Sequence, residues 1–172
     1  GNFYRESNSN VHRGVYALAE EAEAAYDQAR KTVASHLNAD PEEIVFVRGT
    51  TEALNLVAQT YGRTNLGPGD VILITEMEHH ANIVPWHMLS AEKGFELRWI
   101  PVTPDGHLDL RDLDTLLEGA KLVSVTAMSN VLGTLNDIPR LAEAAHGVGA
   151  LLAVDGEAIV QRLEIHAVQL AV

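Results

Sequence analysis

The chain contains no cysteine. That excludes a disulfide framework, a thiolate nucleophile from its own residues and a Cys-ligated metal. Lysine is nearly as scarce and stands only at Lys31, Lys93 and Lys121. With 24 acidic residues against 12 Lys and Arg, the net charge is -12. Such a surface repels nucleic acid and anionic membranes, so neither is expected as a partner. No apolar run exceeds strand length, so no membrane-spanning helix is expected. The opening GNFYRESNSN lacks the charged-then-apolar plan of a signal peptide. A cytoplasmic location is the resulting expectation.

What is present suffices for a packed domain: 172 residues, 47% of them hydrophobic. Leu18, Ala22, Tyr26, Ala29, Val33 and Leu37 recur every three or four residues, which predicts one face of a long helix over 14–37. Asn38-Ala39-Asp40-Pro41 ends it. Short apolar runs then alternate with helical patterns. IVFV (44–47) reads as a buried strand, followed by a helix through EALNLVAQTY. VILIT (71–75), ELRWIPV (96–102), KLVSVTAM (121–128) and ALLAVDG (150–156) read as further strands. Helices are expected from about Val84 to Lys93, over 109–118 through Leu110, Leu113, Leu116 and Leu117, and from Pro139 to His146. This alternation predicts an α/β fold, a mainly parallel sheet with helices on both faces.

In such sheets ligands sit at the carboxyl ends of the strands. Four loops are therefore of interest: RGTT, EMEHHAN, MSNVLGT and VDGEA. Gly49, Thr50 and Thr51 stand where a strand turns into a helix, where free amides and the helix dipole suit an anion; a plain N-cap is the alternative. Asn130 can donate to a ligand oxygen or form an Asx turn. Asp155 ends a very apolar strand, where a carboxylate is costly unless a cation or donor meets it. It could equally cap a following helix. The adjacent His79 and His80 admit three readings. A metal site with His87 is poor, because neighbouring side chains in extended chain point to opposite sides and too few ligands converge. A general base lacks a nucleophile motif. A flat stacking platform for an aromatic cofactor fits the position. The remaining histidines, His12, His36, His107, His146 and His166, carry no such pattern.

VRGTTEALNLVA, EMEHHANIVPW, SNVLGT and AVDG, in this order, resemble the cysteine desulfurases of the class V aminotransferase family. HHANIVPW and the upstream NVHRGVYALA resemble the Suf-type branch. The resemblance covers residues 8 to about 156. It implies part of a fold type I large domain that binds pyridoxal 5'-phosphate, with residues 1–13 near the site mouth, 14–156 as the partial large domain and 157–172 as a divergent tail. By the same resemblance Thr51, with the backbone at Thr50, holds the phosphate and His79 stacks on the pyridine ring, with His80 secondary. Asn130 touches the phenolic oxygen, and Asp155 pairs with the ring nitrogen. Asn10, His12 and Arg13 line the mouth. The implied reaction takes sulfur from L-cysteine, releases L-alanine and leaves a persulfide for an acceptor protein in iron–sulfur cluster assembly. The resemblance also implies a homodimer.

The sequence also departs from that pattern. The family's Schiff-base lysine and nucleophilic cysteine have no counterpart, because none of the three lysines occupies a matching position. Asp155-Gly156-Glu157-Ala158 replaces the family's Asp-Gly-Ala-Gln. The expectation is an incomplete part of a longer enzyme, inactive alone and able to lack the cofactor. Two alternatives stand beside it: another class V enzyme, such as a selenocysteine lyase or an aminotransferase, or a truncated, non-catalytic relative acting as a binding module. No metal is expected.

Overall fold

The computed structural model describes Arg5, residues 17–156 and the backbone of 168–171. It divides into two compact units, one ending at Phe46 and the other beginning at Val47.

The first unit carries helix α1, Ala17–Leu37. Its buried residues are Ala19, Ala22 and Ala34, while Leu18 is 46% exposed. The inward stripe is thus turned by about one residue from the one expected, and Ala29 also lies outside it. The IVFV segment is not a strand. Ile44 offers its carbonyl to Arg30 Nη1. Phe46 packs edge-on against Tyr26 at 5.4 Å. The Arg30 guanidinium lies over both rings, at 5.2 and 5.4 Å. These partners lie on α1, so the segment is held by a helix instead of a neighbouring strand. Val45 is left 65% exposed.

The second unit begins with α2, Thr50–Val57. The chain continues through a wide turn at Ala58–Gly62 and a short helical turn at Arg63–Asn65. Then follow β1 (Val71–Thr75), α3 (Val84–Lys93), β2 (Glu96–Ile100), α4 (Leu113–Leu116), β3 (Ala120–Thr126), α5 (Ile138–Gly147), β4 (Leu151–Asp155) and β5 (Val168–Ala171). The strand order is β2-β1-β3-β4-β5. The first four strands are parallel, and β5 joins β4 antiparallel.

Alternation along the strands builds a core on each face, as a pleated strand must. Leu73, Val123, Val125 and Leu152 pack with Leu113 and Leu117 around α4 and with Leu141 and Ala145 from α5. Ile72, Ile74, Leu122 and Ala153 pack on the opposite face with Trp86 and Leu89 from α3 and with Ala58. Helices therefore cover both faces. On the second face the backbone comes close at Gly62, where a Cβ would stand 2.8 Å from Leu89 Cδ2 and 3.0 Å from Trp86 Cζ3. Gly94, at φ 79°, ends α3 in the left-handed conformation that glycine adopts without strain.

The helix expected over 109–118 is a four-residue turn. The Asp109 carboxylate accepts from the Arg111 amide at 3.2 Å and pairs with its guanidinium. A local side-chain bond of this kind competes with helix initiation. The leucines still reach the core, with Leu113 and Leu117 buried.

Candidate active site

Strands β1, β3 and β4 end side by side, and in register Thr126 faces Asp155. Asp155 is 4% exposed. The amide of Ala127 donates to its backbone carbonyl at 2.9 Å, extending the β3–β4 ladder by one bond. An acidic side chain thus closes a strand whose other residues are apolar.

Beside it, the chain leaving β1 turns through Glu76–His79. Glu78 is buried, and its carboxylate is saturated by donors. Thr75 Oγ1 donates to Oε1 at 2.6 Å, the Thr126 amide donates to the same oxygen at 2.8 Å, and Asn82 Nδ2 donates to Oε2 at 2.8 Å. Asn82 Oδ1 in turn accepts from Trp86 Nε1 at 3.0 Å and from Ser124 Oγ at 2.7 Å. Burial pushes the Glu78 carboxyl up to about 7; the three donors oppose this, and nearby Asp155 adds to it. Sequence pattern does not single out Glu78. Its one signal is the four-residue spacing of Glu78, Asn82 and Trp86.

His79 follows directly. It caps the short turn His80–Asn82, its Nδ1 accepting from the Ala81 amide at 3.2 Å. That bond leaves the proton of a neutral ring on Nε2. His79 and His80 are both exposed, with ring centroids 6.1 Å apart and planes at 90°. His87 is exposed on α3. Among the described residues no three His, Cys, Asp or Glu side chains converge on a possible metal position.

Helix α2 packs against the His80–Asn82 turn. Its N-cap, Gly49, supplies no side-chain cap, and space is open around its Cα. Thr50 is 4% exposed, and its Oγ1 is buried without a hydrogen-bond partner. Thr51 is exposed. An orphaned hydroxyl beside uncapped first-turn amides is the donor set a phosphate requires.

Asn130 is exposed in the loop that leaves β3. There Ser129 Oγ accepts from the amides of Val131 and Leu132, and the Ser129 amide donates to Thr134 at 2.9 Å. Asn10, His12, Arg13, Glu157 and Ala158 lie outside the described residues. Lys121 is the second residue of β3 and Lys93 closes α3, both at the end of the sheet opposite Asp155. Lys31 is exposed on α1.

The family model described as Aminotransferase class-V matches residues 1–172. The chain belongs to this family. A cysteine desulfurase of Pectobacterium atrosepticum is 53% identical over 156 residues, which are 90% of this chain and 38% of that protein. One of Serratia proteamaculans is 48% identical over 96% of this chain and 42% of its own length. The apo structure of a cysteine desulfurase from Thermococcus onnurineus superposes with a TM-score of 0.86 at 40% identity, over 90% of this chain and 38% of that one. The Escherichia coli cysteine desulfurase CsdA gives 0.78 at 40% identity, over 95% and 43%. The chain thus spans about two fifths of the length of these relatives.

Class V aminotransferases and cysteine desulfurases use pyridoxal phosphate. The residues of this chain fit that group in three respects: an unsatisfied hydroxyl at an uncapped helix start, an imidazole held by its own turn, and a buried carboxylate at the strand end.

Proposed function

We propose that this chain is the cofactor-binding part of a Suf-type cysteine desulfurase, which takes sulfur from L-cysteine, releases L-alanine and passes a persulfide to an acceptor protein. The observation that carries this reading is Asp155, a buried carboxylate at the carboxyl end of a parallel strand, near the turn that presents an imidazole platform.

Pyridoxal phosphate, when bound, supplies an electron-withdrawing pyridinium ring. Asp155 holds the proton on the ring nitrogen, because a buried carboxylate stabilises the adjacent cation. His79 presents its ring to the pyridine face, with its orientation fixed through Nδ1 by the Ala81 amide. Thr50 Oγ1, Thr51 and the first amides of α2 bind the phosphate. Asn130 donates to the phenolic oxygen. The lysine and the cysteine of the reaction are not among the residues of this chain, so on this reading they come from elsewhere in the intact protein. Asn10, His12 and Arg13 at the site mouth, a homodimeric assembly and a cytoplasmic location belong to the same proposal.

The test uses the intact protein as isolated. Supplied with L-cysteine and a thiol, it should release alanine and sulfide in equal amounts, and Asp155→Ala should abolish both. Release of alanine from selenocysteine but not from cysteine would favour a selenocysteine lyase. Absence of any pyridoxal phosphate uptake would sink the enzyme reading in favour of a binding module.

A further inference from the structure

We propose that Glu78 is a positioning residue: its buried carboxylate clamps the end of β1 to the end of β3 and so fixes the spacing between the His79 platform and the Asp155 carboxylate. The inference rests on the proposed function and adds to it a residue that touches no ligand.

The path is short and covalent or hydrogen-bonded throughout. His79 is the next residue in the chain after Glu78. Glu78 Oε1 receives the Thr126 amide at 2.8 Å, and Thr126 is the register partner of Asp155. The same oxygen receives Thr75 Oγ1 from the last residue of β1. One side chain therefore ties the platform to the end of β3, and the β3–β4 ladder carries that tie on to Asp155.

The chemistry of the partners calls for a group with two acceptor oxygens there. All three groups bonded to Glu78 are donors. Asn82 cannot turn its amide to present an oxygen, because Oδ1 already accepts from Trp86 and Ser124. A glutamine at position 78 would set its own amide nitrogen against Asn82 Nδ2, two donors with no acceptor between them. A cluster selected for stability alone would avoid a buried charge beside a second one. What the charge supplies is an acceptor able to hold three donors from three segments of chain.

The decisive measurement is the dissociation constant of pyridoxal phosphate for the intact protein, stripped of cofactor, together with the induced circular dichroism of the bound ring. Wild type, Asp155→Asn, Glu78→Gln and the double variant Glu78→Gln/Asn82→Asp are compared well below their melting temperatures. In the double variant the amide introduced at position 78 can donate to the carboxylate introduced at position 82, which keeps an oxygen for Trp86 and Ser124. Glu78→Gln should bind about tenfold more weakly, the effect of one lost bond to a charged group, and its ring dichroism should fall. The double variant should recover to within about threefold of wild type, since the complementary bonds are restored. A merely stabilising role would lower the melting temperature of Glu78→Gln while leaving affinity and dichroism at wild-type values, and that result overturns the proposal. If Glu78→Gln does not fold, the double variant decides: wild-type affinity supports the clamp, and a folded protein with weak binding refutes it. If wild type takes up no cofactor, or Asp155→Asn binds as wild type does, the functional reading itself falls and takes this inference with it.

Discussion

The connection leaving β1 and the connection leaving β3 start from neighbouring parallel strands, at the same end of the sheet, and each carries a candidate cofactor residue. They are held in opposite ways. The first is tied inward by side chains: Glu78 and Asn82 reach Thr75, Ser124 and the Thr126 amide, and Trp86 closes the network from α3. The second is tied mainly to itself, with Ser129 gathering the amides of its own loop, and three outward links, Thr134 Oγ1 to the Gly106 carbonyl and Asn136 Nδ2 to the Thr126 carbonyl and to Met77 Sδ in the first connection. Its apolar residues Val131, Leu132 and Leu135 are 84%, 52% and 65% exposed. One loop therefore takes its geometry from the core, whereas the other keeps its shape locally and leaves its tip open to whatever it meets.

The largest effect should follow from removing the core end of the first loop. Trp86 is fully buried and donates to Asn82 at 3.0 Å. Trp86→Ala should destabilise the intact protein by about 3–5 kcal/mol, from lost burial and the cavity left behind. Asn82 Oδ1 keeps Ser124 but loses its second donor, which adds to that cost. Urea denaturation followed by circular dichroism measures it. A loss under about 1 kcal/mol, the range of a surface change, would show that the network does not lean on α3.

A second effect comes from ionisation. The folded Glu78 carboxyl titrates at about 7, above its unfolded value, so the folded state holds this proton more tightly than the unfolded chain does. Below the unfolded value the group costs nothing. As pH rises towards 7 the unfolded state ionises first and stability falls; above 7 the full penalty remains. That penalty is about 3 kcal/mol, from the size of the shift. Stability measured from about pH 4.5 to about pH 8 should therefore fall with pH by this route, and Glu78→Gln should flatten the slope. An unchanged slope in that variant would mean the carboxyl is not held as described.

Much of this architecture was legible because burial leaves a period in the sequence. VILIT, KLVSVTAM and ALLAVDG mark β1, β3 and β4 to within about two residues, and Gly94 marks the end of α3. IVFV shows the limit of that signal: an apolar run reports that something will cover it, and here the cover is α1 through Arg30 and Tyr26. The failed helix over 109–118 shows another, because the Asp109–Arg111 bond overrides a good leucine pattern. At the site, Asp155 was readable as a charge ending an apolar strand. Glu78 was not. It lies in a turn without periodicity, and one of its three partners is a backbone amide, which has no sequence signature. His79 stood out as one of two adjacent histidines after a strand, while the residue before it holds the loop.

The smallest effects should fall on the second loop, and they test whether it is as self-contained as its bonds suggest. Ser129→Ala removes the acceptor for two amides, one at 3.1 Å and the other at 3.4 Å. Those amides lie near solvent at the loop tip, where water replaces the lost oxygen, so the expected cost is about 1 kcal/mol. Leu132→Ser changes a side chain that is 52% exposed and should alter the unfolding free energy by less than about 0.5 kcal/mol. The two variants together separate loop shape from loop surface. If Leu132→Ser cost more than Ser129→Ala, the exposed leucine would be covered in the intact protein, and the openness of this loop would belong to the chain alone. If the order holds, the tip that carries Asn130 keeps its shape through Ser129, while Asn136 joins the base of the loop to the Thr126 carbonyl and to Met77 Sδ, beside the clamp that holds His79.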